Sequence, residues 1–170
     1  PSQWIDKLSN NSVRFMMRGV PDGCTEDESD IPWVIHQAQF ADVIILGLGG
    51  TCHEREGIDR GFLQLPGSQL ALFKNVCELG KPIVVFIIGG GTYSIDDLKG
   101  IEKVAVLQVG FPGPYGGRAI AEVIFGRVNP SGKLSTTMYP STYATSSPMR
   151  GTPWMDSRIR PSGQGEGRSH

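Results

Sequence analysis

Two continuous apolar runs organise the chain. Residues 43–46 (Val43, Ile44, Ile45, Leu46) and 83–88 (Ile83, Val84, Val85, Phe86, Ile87, Ile88) lack the alternation of a half-exposed strand. Runs of this kind, rich in β-branched residues, suit strands covered on both faces of a parallel sheet. Residues 104–109 predict a third strand, residues 13–20 an earlier short one, and residues 134–138 a last one polar enough for a sheet edge. Between them the apolar positions change period. Ile31, Val34, Ala38 and Ala41 recur at three-to-four spacing, with Asp30 offering an N-cap and Pro32 tolerated in the first turn. Residues 69–79 predict a helix with Leu72, Phe73, Val76 and Leu79 on one face, ended by Gly80 and Pro82. Residues 95–98 predict a short helix. Residues 119–125 predict another, with Ile120, Val123 and Ile124 inward and Gly126 at its end. Strands alternating with helices imply βαβ crossovers and an α/β fold with a mostly parallel sheet of about five or six strands.

The pattern stops near residue 140. The expected organisation is an α/β sandwich domain over residues 1–140 and an irregular tail rich in Ser, Pro, Gly and Arg over 141–170. No apolar run approaches the 18 or so residues of a membrane span. With 16 Lys+Arg against 17 Asp+Glu, the net charge is −1, which argues against nucleic acid as a partner. The 23 Gly and 12 Pro make up about a fifth of the chain, against an average near 12%, and point to glycine-punctuated loops of functional interest.

Three cysteines, Cys24, Cys52 and Cys77, contain no CxxC spacing, so a structural zinc site is not indicated. Cys77 falls in an apolar helical pattern and reads as a small buried hydrophobe. One glycosylation acceptor, Asn10-Asn11-Ser12, is present, whereas Asn129-Pro130-Ser131 is blocked by its proline.

In open α/β sheets, ligands bind beyond the carboxyl ends of the strands. The loops there span residues 47–67, 89–94 and 109–117. The first holds Thr51, Cys52, His53, Glu54, Arg55, Glu56, Asp59 and Arg60 within ten residues. Such a cluster is either a solvated set of local ion pairs or a general acid/base site, where burial and a second carboxylate raise one pKa toward the working pH. Glu54 and Glu56 flank Arg55 and share a side if the segment is extended. Two other motifs are weaker. Gly47-Leu48-Gly49-Gly50 misses the third glycine of a dinucleotide fingerprint, which would fall at Cys52. Gly132-Lys133 is followed by Leu134 instead of the Ser/Thr of a phosphate loop.

The stretch 41–47, then Glu54-Arg55-Glu56-Gly57-Ile58-Asp59-Arg60, then Leu65-Pro66-Gly67-Ser68-Gln69 resembles the C-terminal α/β sandwich domain of glycoside hydrolase family 3. So do Gly110-Phe111-Pro112-Gly113-Pro114-Tyr115-Gly116-Gly117-Arg118, the block through Gly126, and Asn129-Pro130-Ser131-Gly132-Lys133-Leu134. The Glu-x-Glu-Gly-x-Asp-Arg form is most similar to the β-xylosidase and arabinofuranosidase-like branch. The resemblance implies a flavodoxin-like three-layer sandwich and a retaining β-glycosidase acting on β-xylosides or β-glucosides. It implies no cofactor and no metal. The partners it implies are a carbohydrate substrate and an N-terminal barrel domain of the same protein that supplies the nucleophilic aspartate. Carried over by position, Glu56 is the first choice for the acid/base and Glu54 the runner-up. His53, Asp59 and Arg60 become substrate-binding or loop-fixing residues. The family usually shows Gly-Gly-Pro where this chain has Gly89-Gly90-Gly91-Thr92, and small polar residues where it has Cys52 and His53. The chain starts at Pro1 and stops at His170, where the family continues, so a piece of a longer, secreted or extracellular (cell-wall) protein is expected, inactive when isolated. The alternative is a non-catalytic sugar-binding or interaction module of the same fold.

Overall fold

The computed structural model describes residues 2–9, 18–20, 24–50 and 62–146. The elements follow in the order α1 (Ser2–Leu8), α2 (Ile31–Ala38), β1 (Ile44–Gly49), α3 (Gln69–Cys77), β2 (Ile83–Ile88), β3 (Val104–Gly110), α4 (Gly116–Ile124) and α5 (Ser141–Ser146). The three strands form a parallel sheet in the order β1-β2-β3. This is the α/β class that the apolar runs predict, with three strands among the described residues where five or six were expected.

Alternation sorts the sheet's side chains. Ile44, Leu46 and Leu48 of β1 share a face with Ile83, Val85 and Ile87 of β2, paired in register from Ile44↔Ile83 to Gly49↔Ile88. Against this face pack Ile31 and Val34 of α2 and Leu72, Phe73 and Val76 of α3. Phe73, Val76, Val85 and Ile87 are fully buried, and each contributes on the order of 1.5–3 kcal/mol by leaving water. Phe86 points to the opposite face and lies over Gly47, where a Cβ would come within 2.6 Å of its ring. That close approach explains the glycine at 47, and β1 runs on through Gly47 and Gly49, which the sequence pattern assigns to the following loop. On α4, Ile120 and Ala121 are buried while Val123 and Ile124 are half-buried, and α1 packs against this helix.

The helix boundaries follow the stop signals. Gly80, at φ +64°, ends α3, and Gly126, at φ +67°, ends α4. Asp30 occupies the N-cap of α2, but its side chain makes no capping bond, and its carbonyl accepts from Val34 N at 3.0 Å. Three expectations are corrected. Residues 134–138 form no strand: Leu134 is 61% exposed and the polar Ser135, Thr136 and Thr137 give it no apolar face to bury. Residues 95–98 form a hydrogen-bonded turn in place of a helix, with Leu98 N and Lys99 N both on Ile95 O. The tail expected to be irregular begins with α5, whose first amide, Ser141 N, donates to Asp96 Oδ2 at 3.1 Å. Of the expected early strand, residues 18–20 are non-strand and 13–17 lie outside the described residues, as does 147–170. Cys24 is disulfide-bonded. Cys77 is a free, half-buried thiol packed against the core, and burial pushes its pKa up. No helix among the described residues is long and apolar enough to cross a membrane.

Candidate active site

The parallel strands end together at Gly49, Ile88 and Gly110, and their following turns define one edge of the sheet. That edge is tied by backbone bonds: Gly50 N donates to Ile88 O at 2.7 Å, and Gly89 N to Gly110 O at 3.3 Å. The β2–β3 register shifts by one residue here, Ile87 pairing with Gln108 and Ile88 with Gly110.

Glycine is required at the end of β1. Gly49 and Gly50 have φ of +98° and +126°. A Cβ on Gly49 would sit 2.0 Å from the carbonyl oxygen of Ile88, whereas one on Gly50 would meet nothing within 4 Å. Gly50→Ala therefore carries only the positive-φ penalty, about 1–2 kcal/mol, and Gly49→Ala costs more because backbone must also move. Thermal unfolding of the two variants checks this order; equal costs would refute it.

Two side chains from elsewhere in the chain hold this turn. Gln69, buried at the start of α3, spans both backbone groups of Gly49. Its Oε1 accepts from Gly49 N at 2.7 Å, and its Nε2 donates to Gly49 O at 2.8 Å. Tyr93, fully buried in the connection between β2 and β3, donates from its hydroxyl to Gly50 O at 3.0 Å. The next residue, Ser94, donates its amide to Leu63 O at 2.7 Å. Gly89 makes room for the Tyr93 ring, since a Cβ there would lie 2.4 Å from it.

On the same edge, the turn after β3 exposes two aromatic rings, Phe111 at 58% and Tyr115 at 80%. Gly90 lies under the Phe111 ring, and Gly116 lies against Pro112, where a Cβ would be only 2.3 Å away. α4 starts at Gly116, earlier than the expected residue 119. Thr92 Oγ1 meets Thr136 Oγ1 at 3.2 Å, joining the 89–94 turn to the 129–140 segment. Asp96 anchors this region from below. Lys99 beside it, together with bonds from Ser141 N and Ser94 Oγ, holds its carboxyl below the usual aspartate range.

The segment proposed for chemistry leaves this edge directly after Gly50. Glu54, Glu56, His53, Asp59 and Arg60 all lie outside the described residues, so the structure brings none of them together. What it describes is the frame on either side, Gly49–Gly50 and Phe62–Leu65. From sequence, Gln69 reads as a helix start and as part of the family-like 65–69 stretch, with no role at the turn, and Tyr93 is not singled out. The general signal is that a buried tyrosine hydroxyl or glutamine amide needs a partner, but local sequence does not say which partner. Among the described residues, no group of three His, Cys, Asp or Glu side chains could hold a metal.

Comparison with known proteins gives a consistent result. The profile of the glycosyl hydrolase family 3 C-terminal domain matches residues 4–164. The chain is 42% identical over 125 residues to β-D-xylosidase 3 of Arabidopsis thaliana, covering 72% of this chain and 16% of the relative. It is 41% identical over 127 residues to the exo-1,4-β-xylosidase xlnD of Emericella nidulans, covering 73% of this chain and 15% of the relative. Among solved structures, a family 3 exo-β-xylosidase (XlnD) in complex with a xylobiose aziridine activity-based probe superposes with a TM-score of 0.73. It is 35% identical and covers 84% of this chain and 18% of its own. A β-glucosidase from Listeria innocua in complex with glucose gives 0.64 at 33% identity, covering 71% and 17%. The chain thus spans about a sixth of the length of the curated relatives it matches. A match over nearly the whole chain, with this sheet and this identity, means that the chain belongs to glycosyl hydrolase family 3 and lies within its C-terminal domain.

Proposed function

We propose that this chain is the acid/base-bearing part of a retaining β-glycosidase that removes terminal β-linked xylose or glucose. The observation that carries the reading is the Glu54-Arg55-Glu56-Gly57-Ile58-Asp59-Arg60 segment, following directly on the carboxyl end of β1 in a chain 42% identical to a β-xylosidase. A retaining mechanism uses two carboxyl groups about 5–5.5 Å apart across the glycosidic bond. An aspartate on an upstream barrel attacks the anomeric carbon and expels the leaving-group oxygen, which takes a proton from Glu56. Glu56, now ionised, takes a proton from water as that water attacks the glycosyl-enzyme and releases the aspartate. Glu54, two residues away in the sequence, is the second candidate for the same role. Asp59, Arg60 and His53 fix the segment or contact sugar hydroxyls.

In this reading residues 1–140 form the sandwich domain, residues 141–170 are its C-terminal tail, and the whole protein works outside the cell. The sequon Asn10-Asn11-Ser12 and the disulfide at Cys24 support the last point. The isolated chain is expected to be inactive on aryl β-xylosides and β-glucosides, because the attacking aspartate is elsewhere. Joined to an upstream barrel it is expected to turn over. Robust hydrolysis by the 170-residue chain alone would sink the two-domain mechanism.

A further inference from the structure

We propose that Tyr93 and Gln69 are positioning residues for the acid/base segment, and that Tyr93 with its neighbour Ser94 grips both of that segment's ends. The inference rests on the function proposed above. It deepens that reading by naming described residues, outside the motif itself, that set where the glutamates go.

Residues 51–61 are bounded by Gly50 and Phe62. On the upstream side, the Gly50 carbonyl accepts the Tyr93 hydroxyl at 3.0 Å. On the downstream side, the Leu63 carbonyl accepts the Ser94 amide at 2.7 Å. Consecutive residues of one turn thus fasten both ends of an intervening stretch. Behind Gly50, the Gln69 amide closes a two-bond ring on Gly49, and Gly50 N is bound to Ile88 O. Four bonds therefore converge on the two residues from which the segment departs.

The hold is rigid. The Tyr93 ring is 0% exposed and lies against Gly89. Gln69 is 4% exposed and sits in the first turn of α3, whose inner face is locked by Leu72, Phe73 and Val76. Ser94 is itself fixed, its hydroxyl donating to Asp96 Oδ2 at 3.1 Å. None of these groups is an acid or base that the reaction needs. They fix where the chain leaves β1 at Gly50 and where it returns at Leu63, the two ends from which the glutamates are placed. A displacement of about 1 Å at a catalytic group can cost about 10²-fold in rate, so the turn is a sensitive point.

The test uses the full-length enzyme carrying this chain and two substrates, an alkyl or oligomeric β-xyloside with a poor leaving group and 2,4-dinitrophenyl β-xyloside with a good one. Tyr93→Phe removes the hydroxyl and keeps the ring. It is expected to lower kcat/KM on the poor leaving group by about 5–30-fold, while the good one changes less than about twofold. Gln69→Met, close in volume, is expected to show the same split, and it gives an independent reading if Tyr93→Phe folds poorly. A purely structural role would lower thermal stability and depress both substrates alike, and that outcome would overturn the proposal. Glu56→Gln and Glu54→Gln are run in parallel. If one of them shows the leaving-group split and neither Tyr93→Phe nor Gln69→Met does, positioning is wrong and the acid/base reading stands. If neither glutamate variant shows it, the acid/base reading fails and this inference falls with it.

Discussion

Glu56→Gln in the full-length enzyme is expected to lower kcat/KM on poor leaving groups by about 10²–10⁴-fold, the range a positioned general acid supplies. The amide keeps the size of the carboxyl group but has no proton to give the departing oxygen. An alkoxide of high pKa cannot leave without that proton, whereas a dinitrophenolate can. Glycosylation by activated aryl substrates therefore stays fast in the variant. The second step still lacks a base for water, so the glycosyl-enzyme accumulates and kcat falls together with KM. Azide, a nucleophile that needs no deprotonation, is expected to restore turnover and yield a β-glycosyl azide. Measuring kcat/KM across a series of aryl xylosides, and kcat on the activated ones with and without azide, checks both halves. Equal loss on all leaving groups, or none, transfers the role to Glu54 or removes it from this segment. The asymmetry of the motif makes the distinction useful: the two glutamates are separated by one residue, and their substitutions should not be interchangeable.

Phe73→Ala is expected to destabilise the domain by about 3–5 kcal/mol, the range for deleting a buried aromatic side chain and leaving a cavity. Phe73 is 0% exposed on the inner face of α3, in one cluster with Leu46, Leu72, Val76, Val85 and Tyr93. A marginally stable domain has about 5–15 kcal/mol in total, so the variant should unfold at much lower urea. Urea unfolding of the chain measures the shift, and a loss below about 1 kcal/mol would mean that the site repacks. The variant also serves as a control on the site. Its loss of function should track the folded fraction and be the same for every leaving group, unlike that of Glu56, Tyr93 or Gln69.

How much could be read in advance followed the length and burial of each element. β1, β2 and β3 were legible because short apolar runs rich in Val, Ile and Leu, bounded by Gly and Pro, have few other uses in a chain of this length. α2, α3 and α4 were legible because their inner faces repeat at helical spacing. α1 was not read, since seven residues with Ile5 as the single fully buried position give no period to detect. Leu134–Ser135–Thr136–Thr137 looked like a strand by residue type, yet an edge strand exists only if a neighbour accepts its ladder, and local sequence carries no information about neighbours. Gly47 and Gly49 misled in the other direction. They read as loop, yet they pair in the strand with Phe86 and Ile88, and they are glycines because the Phe86 ring and the Ile88 carbonyl leave no room for a side chain. The motif residues Glu54, Glu56, His53, Asp59 and Arg60 were named from spacing and resemblance and lie outside the described residues. The clamp formed by Gln69 and Tyr93 was not, since it joins residues 20 and 43 positions away from their partners. Contacts that distant leave no local pattern.

The strand order β1-β2-β3 has a consequence for biosynthesis. Among the described strands each pairs with the one made just before it, so none of the three has to insert between strands already zipped. A ribosome releases residues at about 5–20 per second, slow compared with local pairing. β2 can therefore lay down on β1 as soon as α3 has emerged and folded back, before β3 exists. In such a vectorial sequence, Gln69 reaches Gly49 early, whereas Tyr93, which follows β2, arrives later. The nascent chain would thus fasten the turn after β1 in two temporal stages, first from the helix side and then from the β2 side.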